Sequence, residues 1–314
     1  MLQYLVVILD DLSVAYCHAS NPLKERNLIP VDTLKRAILF GMKENLMIQF
    51  VYPDYVLPEE YNVIIESIDH IKIGWDVAVY NDVPETVEEE NIVLRITIED
   101  FLERQDTFAA LLSQVNRLNI CLTNIDSFKD DQIDEYAKAL STLNGSLLNQ
   151  YLAGKQPQLN IITDRLQLAK MHNCGAGDSN ITIAPNGKFY LCQAFYYDER
   201  MGVSKRLNHN THSSDWSVGD LESGLSIPNQ QLLKIDHAPL CRVCDAYHCN
   251  RCIWLNRKLT WDNNTPSHQQ CVIAHLERNA SRNLQNQLIA KGCSFGEIIK
   301  EINYLDPFDV RDQK

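Results

Sequence analysis

Seven of the chain's ten cysteines fall between Cys174 and Cys271, at spacings that suit metal ligation. Cys174 is followed by twelve residues, Gly187, four more residues and Cys192. The Asn186-Gly187 turn between them would fold the flanking segments back so that both sulfurs approach one site. Next comes Cys241-x2-Cys244-x4-Cys249-x2-Cys252, and eighteen residues later Cys271. Two CxxC pairs this close place four thiolates on one short loop, and soft thiolate ligands select zinc, copper(I) or iron–sulfur clusters. A zinc ribbon separates its pairs by roughly 15–20 residues and needs only four ligands. Here the gap is four residues and seven cysteines take part, too many for one centre and one short of two cubanes. Iron–sulfur is therefore the leading reading, zinc the alternative and uncoordinated thiols the third. Cys121 lies in an apolar strand and reads as a small core residue. Cys293, after Gly292, reads as a free thiol.

The rest of the chain is compatible with such centres. At 314 residues and 45% hydrophobic content it can bury a sizeable core in one large or two moderate domains. Tyr4–Leu9 is short, is followed by Asp10 and Asp11 and has neither a basic leader nor a cleavage site, so no signal peptide is expected. No apolar stretch approaches the ~20 residues of a membrane helix. A cytoplasmic location follows, and clustered cysteines in a reducing compartment read as metal ligands rather than disulfides. The net charge of −12 argues against nucleic acid. Residues 241–300 nevertheless hold eight Lys/Arg (Arg242, Arg251, Arg257, Lys258, Arg278, Arg282, Lys291, Lys300) against four acids (Asp245, Asp262, Glu277, Glu297), +4 locally and −16 elsewhere. Cations near an anionic cluster are stabilising; a solvated basic face is the plainer alternative.

The elements that must position the cysteines follow from periodicity. Tyr4–Leu9 predicts a strand, Asp32–Asn45 a helix capped by Asp32, and Leu46–Val51 a strand ending before Pro53. A helix over Pro58–Ser67, strands at Asp76–Tyr80 and Ile92–Ile98, a helix over Gln105–Leu118, the strand Asn119–Asn124 and a helix over Asp130–Leu143 continue a βα series. Such alternation implies an α/β fold with a mainly parallel sheet, open or curled into a partial barrel. The acidic stretch Pro84–Glu90 reads as a loop and Leu159–Thr163 as a last strand. From about Met171 the texture turns to aromatics and cysteines. Ile181–Ile183, Pro185-Asn186-Gly187 and Phe189–Leu191 form a hairpin signature. Residues 200–235 look like a long excursion. Ser267 caps one terminal amphipathic helix carrying Ile273, Leu276, Ala280, Leu284 and Leu288.

The cysteine pattern resembles the SPASM domain of radical S-adenosylmethionine enzymes that modify peptides, over roughly residues 170–290. The phrases Asn173-Cys174-Gly175-Ala176-Gly177, Ala184-Pro185-Asn186-Gly187-Lys188 and Ala238-Pro239-Leu240-Cys241 are similar to maturases associated with CXXX-repeat peptides. The resemblance implies a degenerate radical-SAM-like partial (β/α) barrel over 1–168, followed by a SPASM-like iron–sulfur domain with a β-hairpin and C-terminal helix over 169–314. It also implies two [4Fe-4S] clusters, the first held by Cys174, Cys192 and Cys252 and the second by Cys241, Cys244, Cys249 and Cys271. One iron is then short of a thiolate, and His172, a peptide cysteine or solvent could fill the vacancy. The second and third gaps of the tight run are each one residue shorter than is usual in the family.

The larger departure lies at the other end. Radical S-adenosylmethionine enzymes carry CxxxCxxC in the loop after the first strand, because three thiolates leave one iron open for the cosubstrate. Here Asp10 to Pro30 contains only Cys17, which reads as a leftover or packing residue. The glycine-rich acidic turn expected after the second strand is replaced by Val51-Tyr52-Pro53-Asp54-Tyr55, so no residues are assigned to S-adenosylmethionine. What the resemblance then implies is a cluster-bearing, peptide-binding or electron-relay partner of an intact radical SAM enzyme, acting on a cysteine-repeat precursor peptide. Phe195, Tyr196, Tyr197, Trp216, Tyr247 and Trp254 would offer a docking surface, or pack in the core. One alternative is an enzyme in its own right using Asp10 and Asp11, whose plainer reading is strand-end solvation. The other is a zinc-stabilised binding protein. No Ser-His-Asp order, P-loop or dinucleotide fingerprint is present, and His209 and His212 read as solvated.

Overall fold

The structure, a computed structural model, describes residues 2–167, 174–203, 216–246, 249 and 251–293. The chain divides into two compact units, each built from two separate stretches: 1–79 with 175–234, and 80–174 with 235–314.

The first unit is organised by strands β1 (Tyr4–Ile8), β2 (Met47–Val51) and β3 (His70–Ile73). Strand β4 (Ala78–Tyr80) spans the boundary between the units, and β5 (Asn91–Ile96), β6 (Arg117–Leu122) and β7 (Gln158–Leu159) belong to the second. Strands β8 (Asn180–Ile183) and β9 (Phe189–Tyr190) return to the first unit, giving the order β3-β2-β1-β8-β9. β1 pairs in parallel with β2 and with β8, Tyr4 standing opposite both Met47 and Asn180. Leu5 to Leu9 are all buried, as a central parallel strand covered on both faces requires. The expected hairpin is present: β8 and β9 run antiparallel, and Gly187 takes the positive φ of 75° that the turn needs.

Helix α1 (Val31–Lys43) is the β1–β2 crossover and buries Leu34, Ala37, Ile38 and Gly41. Its N-cap is Pro30, with no side-chain cap bond; Asp32, expected as the cap, sits in the first turn where its charge favours the helix dipole. Gly41 is a contact point: a Cβ there would lie 2.8 Å from Ile48 Cδ1 and 3.0 Å from Leu5 Cδ2. Gly41→Val should therefore overpack this layer and destabilise the protein by about 1–3 kcal/mol, read as a lower urea midpoint with unchanged slope.

In the second unit β5, β6 and β7 pair in parallel. The helix expected over Gln105–Leu118 is only α4 (Gln105–Leu111), preceded by the unexpected α3 (Ile98–Glu103), both after α2 (Glu59–Ile65) of the first unit. Thr97 and Asp100 form a capping box that starts α3 well before Gln105. The chain leaves α4 at Leu111 because Leu118, Ile120 and Leu122 are taken by β6. Helix α5 (Ile133–Leu152) packs on the terminal helix, α8 (His268–Ala290), through Asn144 Nδ2 to Ala280 O at 2.8 Å and Tyr136 OH to Glu277 Oε1 at 3.0 Å. Two further helices, α6 (Gln193–Arg200) in the first unit and α7 (Ile253–Thr260) in the second, each follow a cysteine. Among the described residues no helix is long and apolar enough to cross a membrane.

Candidate metal centre

Four of the seven candidate cysteines meet in the second unit. Cys241 opens a 3-10 turn, Cys241–Val243, and the Cys244 N–H returns to the Cys241 carbonyl at 3.1 Å. The Cys249 N–H bonds the Ala246 carbonyl at 2.8 Å. Cys271 lies in the first turn of α8, whose start is fixed by Ser267 Oγ accepting from Gln270 N. Cys241, Cys244, Cys249 and Cys271 line one cavity of ≈ 20 Å³ together with Ala246, Arg251, Pro266, Ala274 and His275. His275 is not singled out by the sequence; its only signal there is the four-residue step from Cys271, which places both on one helix face. Its Nε2 stands 3.5 Å from Cys244 Sγ, and the residue is 3% exposed.

The electrostatics of this pocket disfavour bare thiolates. Burial pushes the Cys241 thiol up to about 11, with Arg251 opposing and Cys244 adding to the rise. Burial also raises Cys244, against the Ala246 N–H that reaches its sulfur at 3.4 Å. Cys249 is held well above the usual thiol range by burial and then by the mutual repulsion of Cys271, Cys241 and Cys244, while the Arg251 N–H pulls the other way. Four thiols that repel one another's charge form a set that a central cation would deprotonate and bind. Among the described residues no three His, Cys, Asp or Glu groups converge on one ion-sized point. The sulfurs ring a cavity instead. A four-thiol ring with amide donors aimed at its sulfurs fits a [4Fe-4S] group in the chemistry of its ligands.

Directly beside the cysteines lies a buried ion cluster. Asp245, 1% exposed, accepts Arg278 Nη1 at 3.0 Å and Arg282 Nη2, and Arg165 Nη2 bonds the Asp245 carbonyl. From this side Asp245 raises the Cys244 thiol, and Arg278 and Arg165 oppose it. The basic excess of residues 241–300 is thus in part an internal feature: Arg251 and Arg278 are 1% and 6% exposed, against the alternative of a solvated face.

Cys192 is the N-cap of α6 in the first unit. Cys252 is the N-cap of α7 in the second, its sulfur accepting Leu255 N–H at 3.5 Å. Cys174 is exposed. His172, Tyr247, His209 and His212 lie outside the described residues. Cys17 is half-buried and accepts Gln193 Nε2 at 3.1 Å. Cys121, on β6, has its thiol pushed up to about 12 by burial. Since the thiolate is the nucleophile, iodoacetamide at pH 8 should leave Cys121 unmodified in the native protein and alkylate it after denaturation, as peptide mass mapping would show.

At the C-terminal end of β1 the structure corrects one expectation. Asp10 and Asp11 are not solvated; they are 0% and 1% exposed. Asp10 accepts Tyr55 OH at 2.9 Å and Leu12 N–H at 2.7 Å. Asp11 accepts Tyr196 OH, Arg200 Nη2 at 2.9 Å and Asn27 Nδ2 at 3.4 Å. Burial, then the bond to Asp10, pushes Tyr55 up to about 12. Phe195, Tyr196, Tyr197 and Trp216 are likewise buried, so these four form core rather than a docking surface.

No protein-family model matches the chain, and no curated protein matches its sequence. Solved structures do. Histidine-tagged anSMEcpe with bound AdoMet aligns with a TM-score of 0.57 at 10% identity, covering 93% of this chain and 96% of that one. The fold is that of anSMEcpe. Native anSMEcpe with bound AdoMet and the Cp18Cys peptide gives the same TM-score and identity, covering 93% of this chain and all of the other. Streptococcus suis SuiB bound to its precursor peptide SuiA aligns at a TM-score of only 0.33. At this identity the likeness to anSMEcpe speaks to architecture, and ligands have to be argued from the residues.

Proposed function

We propose that this chain is the iron–sulfur-bearing, peptide-binding or electron-relay partner of a radical S-adenosylmethionine enzyme in a peptide-maturation system, with its fold a degenerate partial barrel followed by a SPASM-like domain. The observation that carries the reading is the ring of Cys241, Cys244, Cys249 and Cys271 around one cavity, with amide N–H groups directed at Cys244 and Cys249. These four would hold one [4Fe-4S] cluster; Cys174, Cys192 and Cys252 would hold a second with one position left for a peptide cysteine. Such clusters supply one-electron transfer at a potential set by the charge and hydrogen bonds around the sulfurs. The chain's own residues bind the irons, supply the buried guanidinium groups of Arg165, Arg278 and Arg251 and shut out water. The peptide reading draws on the fold shared with anSMEcpe, whose structure holds a peptide.

Radical chemistry by this chain itself is disfavoured by its first loop. A lone Cys17 stands where three thiolates would be needed, and Asp10 and Asp11 are bonded to Tyr55, Tyr196 and Arg200 of their own unit. The same bonds weigh against Asp10 and Asp11 as acid–base groups of an independent enzyme.

Anaerobic purification followed by iron, sulfide and zinc analysis tests the proposal. About eight irons and eight acid-labile sulfides per chain, with a chromophore that dithionite bleaches, is the expected result for two four-iron centres. Stoichiometric zinc without sulfide overturns it in favour of a zinc-stabilised binding protein. Titration of a cysteine-repeat peptide against the cluster spectrum then tests the open position.

A further inference from the structure

We infer that His275 is a positioning residue for the metal centre, donating its Nε2–H to the sulfur of Cys244 and so setting the potential of the group that this cysteine holds. The inference deepens the proposed function and rests on the four cysteines being ligands. Three observations place the ring. His275 lines the same cavity as all four sulfurs. Its Nε2 is 3.5 Å from Cys244 Sγ, within reach of an N–H···S bond. It lies one helical turn beyond Cys271 on α8, so the helix that supplies one ligand also fixes the donor. The ring is 3% exposed, so the contact is made away from bulk water, where a hydrogen bond is stronger.

The chemistry follows from what Cys244 can accept. A metal-bound thiolate carries lone pairs and no proton, so the nitrogen facing it must be the protonated one. Ala246 N–H already reaches this sulfur at 3.4 Å. A side-chain donor added to a backbone donor withdraws further charge from one ligand, and hydrogen bonds to the sulfurs are among the factors that set cluster potentials, here toward more positive values. A ring that only filled space would have the same effect with any side chain of its volume.

His275→Leu removes the donor and keeps much of the bulk, whereas His275→Gln keeps an N–H at similar reach. Iron and sulfide would be counted in both variants, and midpoint potentials and the EPR signal of the reduced state recorded. The expected result is full iron in both, one potential moved to a more negative value in His275→Leu with an altered EPR signal, and a return toward the wild-type values in His275→Gln. Loss of iron in His275→Leu but not in His275→Gln also supports the donor role. Equal potentials in wild type and His275→Leu, or equal changes of any kind in the two variants, overturn it. The two levels separate cleanly: sulfide-free wild-type protein defeats the iron–sulfur reading and this inference together, whereas full sulfide with an indifferent potential defeats this inference alone.

Discussion

Asp245→Ala is expected to destabilise the second unit by about 3–5 kcal/mol, because it leaves Arg165, Arg278 and Arg282 gathered around a vacated anion. Asp245 is 1% exposed and the side chains of Arg165 and Arg278 are 4% and 7% exposed, so water cannot take its place; Arg282, at 23%, retains partial hydration and sets the lower end of the range. The loss should exceed that of a typical single substitution. Differential scanning calorimetry of the metal-loaded protein measures it. A change under about 1 kcal/mol would mean that the arginines find other partners. Because Asp245 sits between Cys244 and Ala246, whose N–H reaches the Cys244 sulfur, the same variant should also load less metal.

Cys249→Ala should weaken one centre by leaving it three thiolates, lowering the iron and sulfide from about eight toward about four of each per chain in the proposed two-cluster protein. Cys249 is the best single target because its thiol feels Cys271, Cys241 and Cys244 together. Where a metal is bound only by the folded state, its binding energy is folding energy, so a lower Tm should accompany the lost iron. Cys121→Ser, a change on β6 far from the cysteine motif in sequence, is the control that keeps full iron. Equal iron in Cys249→Ala and wild type would remove Cys249 from the ligand set.

Much of this is legible in the sequence because spacing and periodicity are local. The Tyr4–Leu9 run, the Asn186-Gly187 hairpin and the Ser267-capped terminal helix each owe their form to residues within a few positions of one another. The tight cysteine run is legible for the same reason. Periodicity fails where tertiary demands break it: residues 105–118 carry a helical pattern, yet the last of them are needed in β6, and the Thr97–Asp100 box that starts α3 is hidden at the end of a strand-like run. His70–Ile73 is a parallel strand too short to announce itself. His275 offers the sequence only its step from Cys271, because its partner sulfur is thirty-one positions away. The saturation of Asp10 and Asp11 depends on Tyr55, Tyr196 and Arg200, whose approach only the folded sheet creates.

The register of β1 carries a consequence for biosynthesis. Tyr4 pairs with Asn180 as well as with Met47, so the innermost strand of the first unit lacks one of its neighbours until the ribosome has delivered some 180 residues. Until then the nascent chain presents a bare edge of Tyr4, Leu5, Val6 and Val7 to its surroundings, the kind of template on which other chains add. A fragment cut near residue 168 would make that temporary exposure permanent. Holding the emerging chain until β8 arrives would then bear on how much of this protein folds.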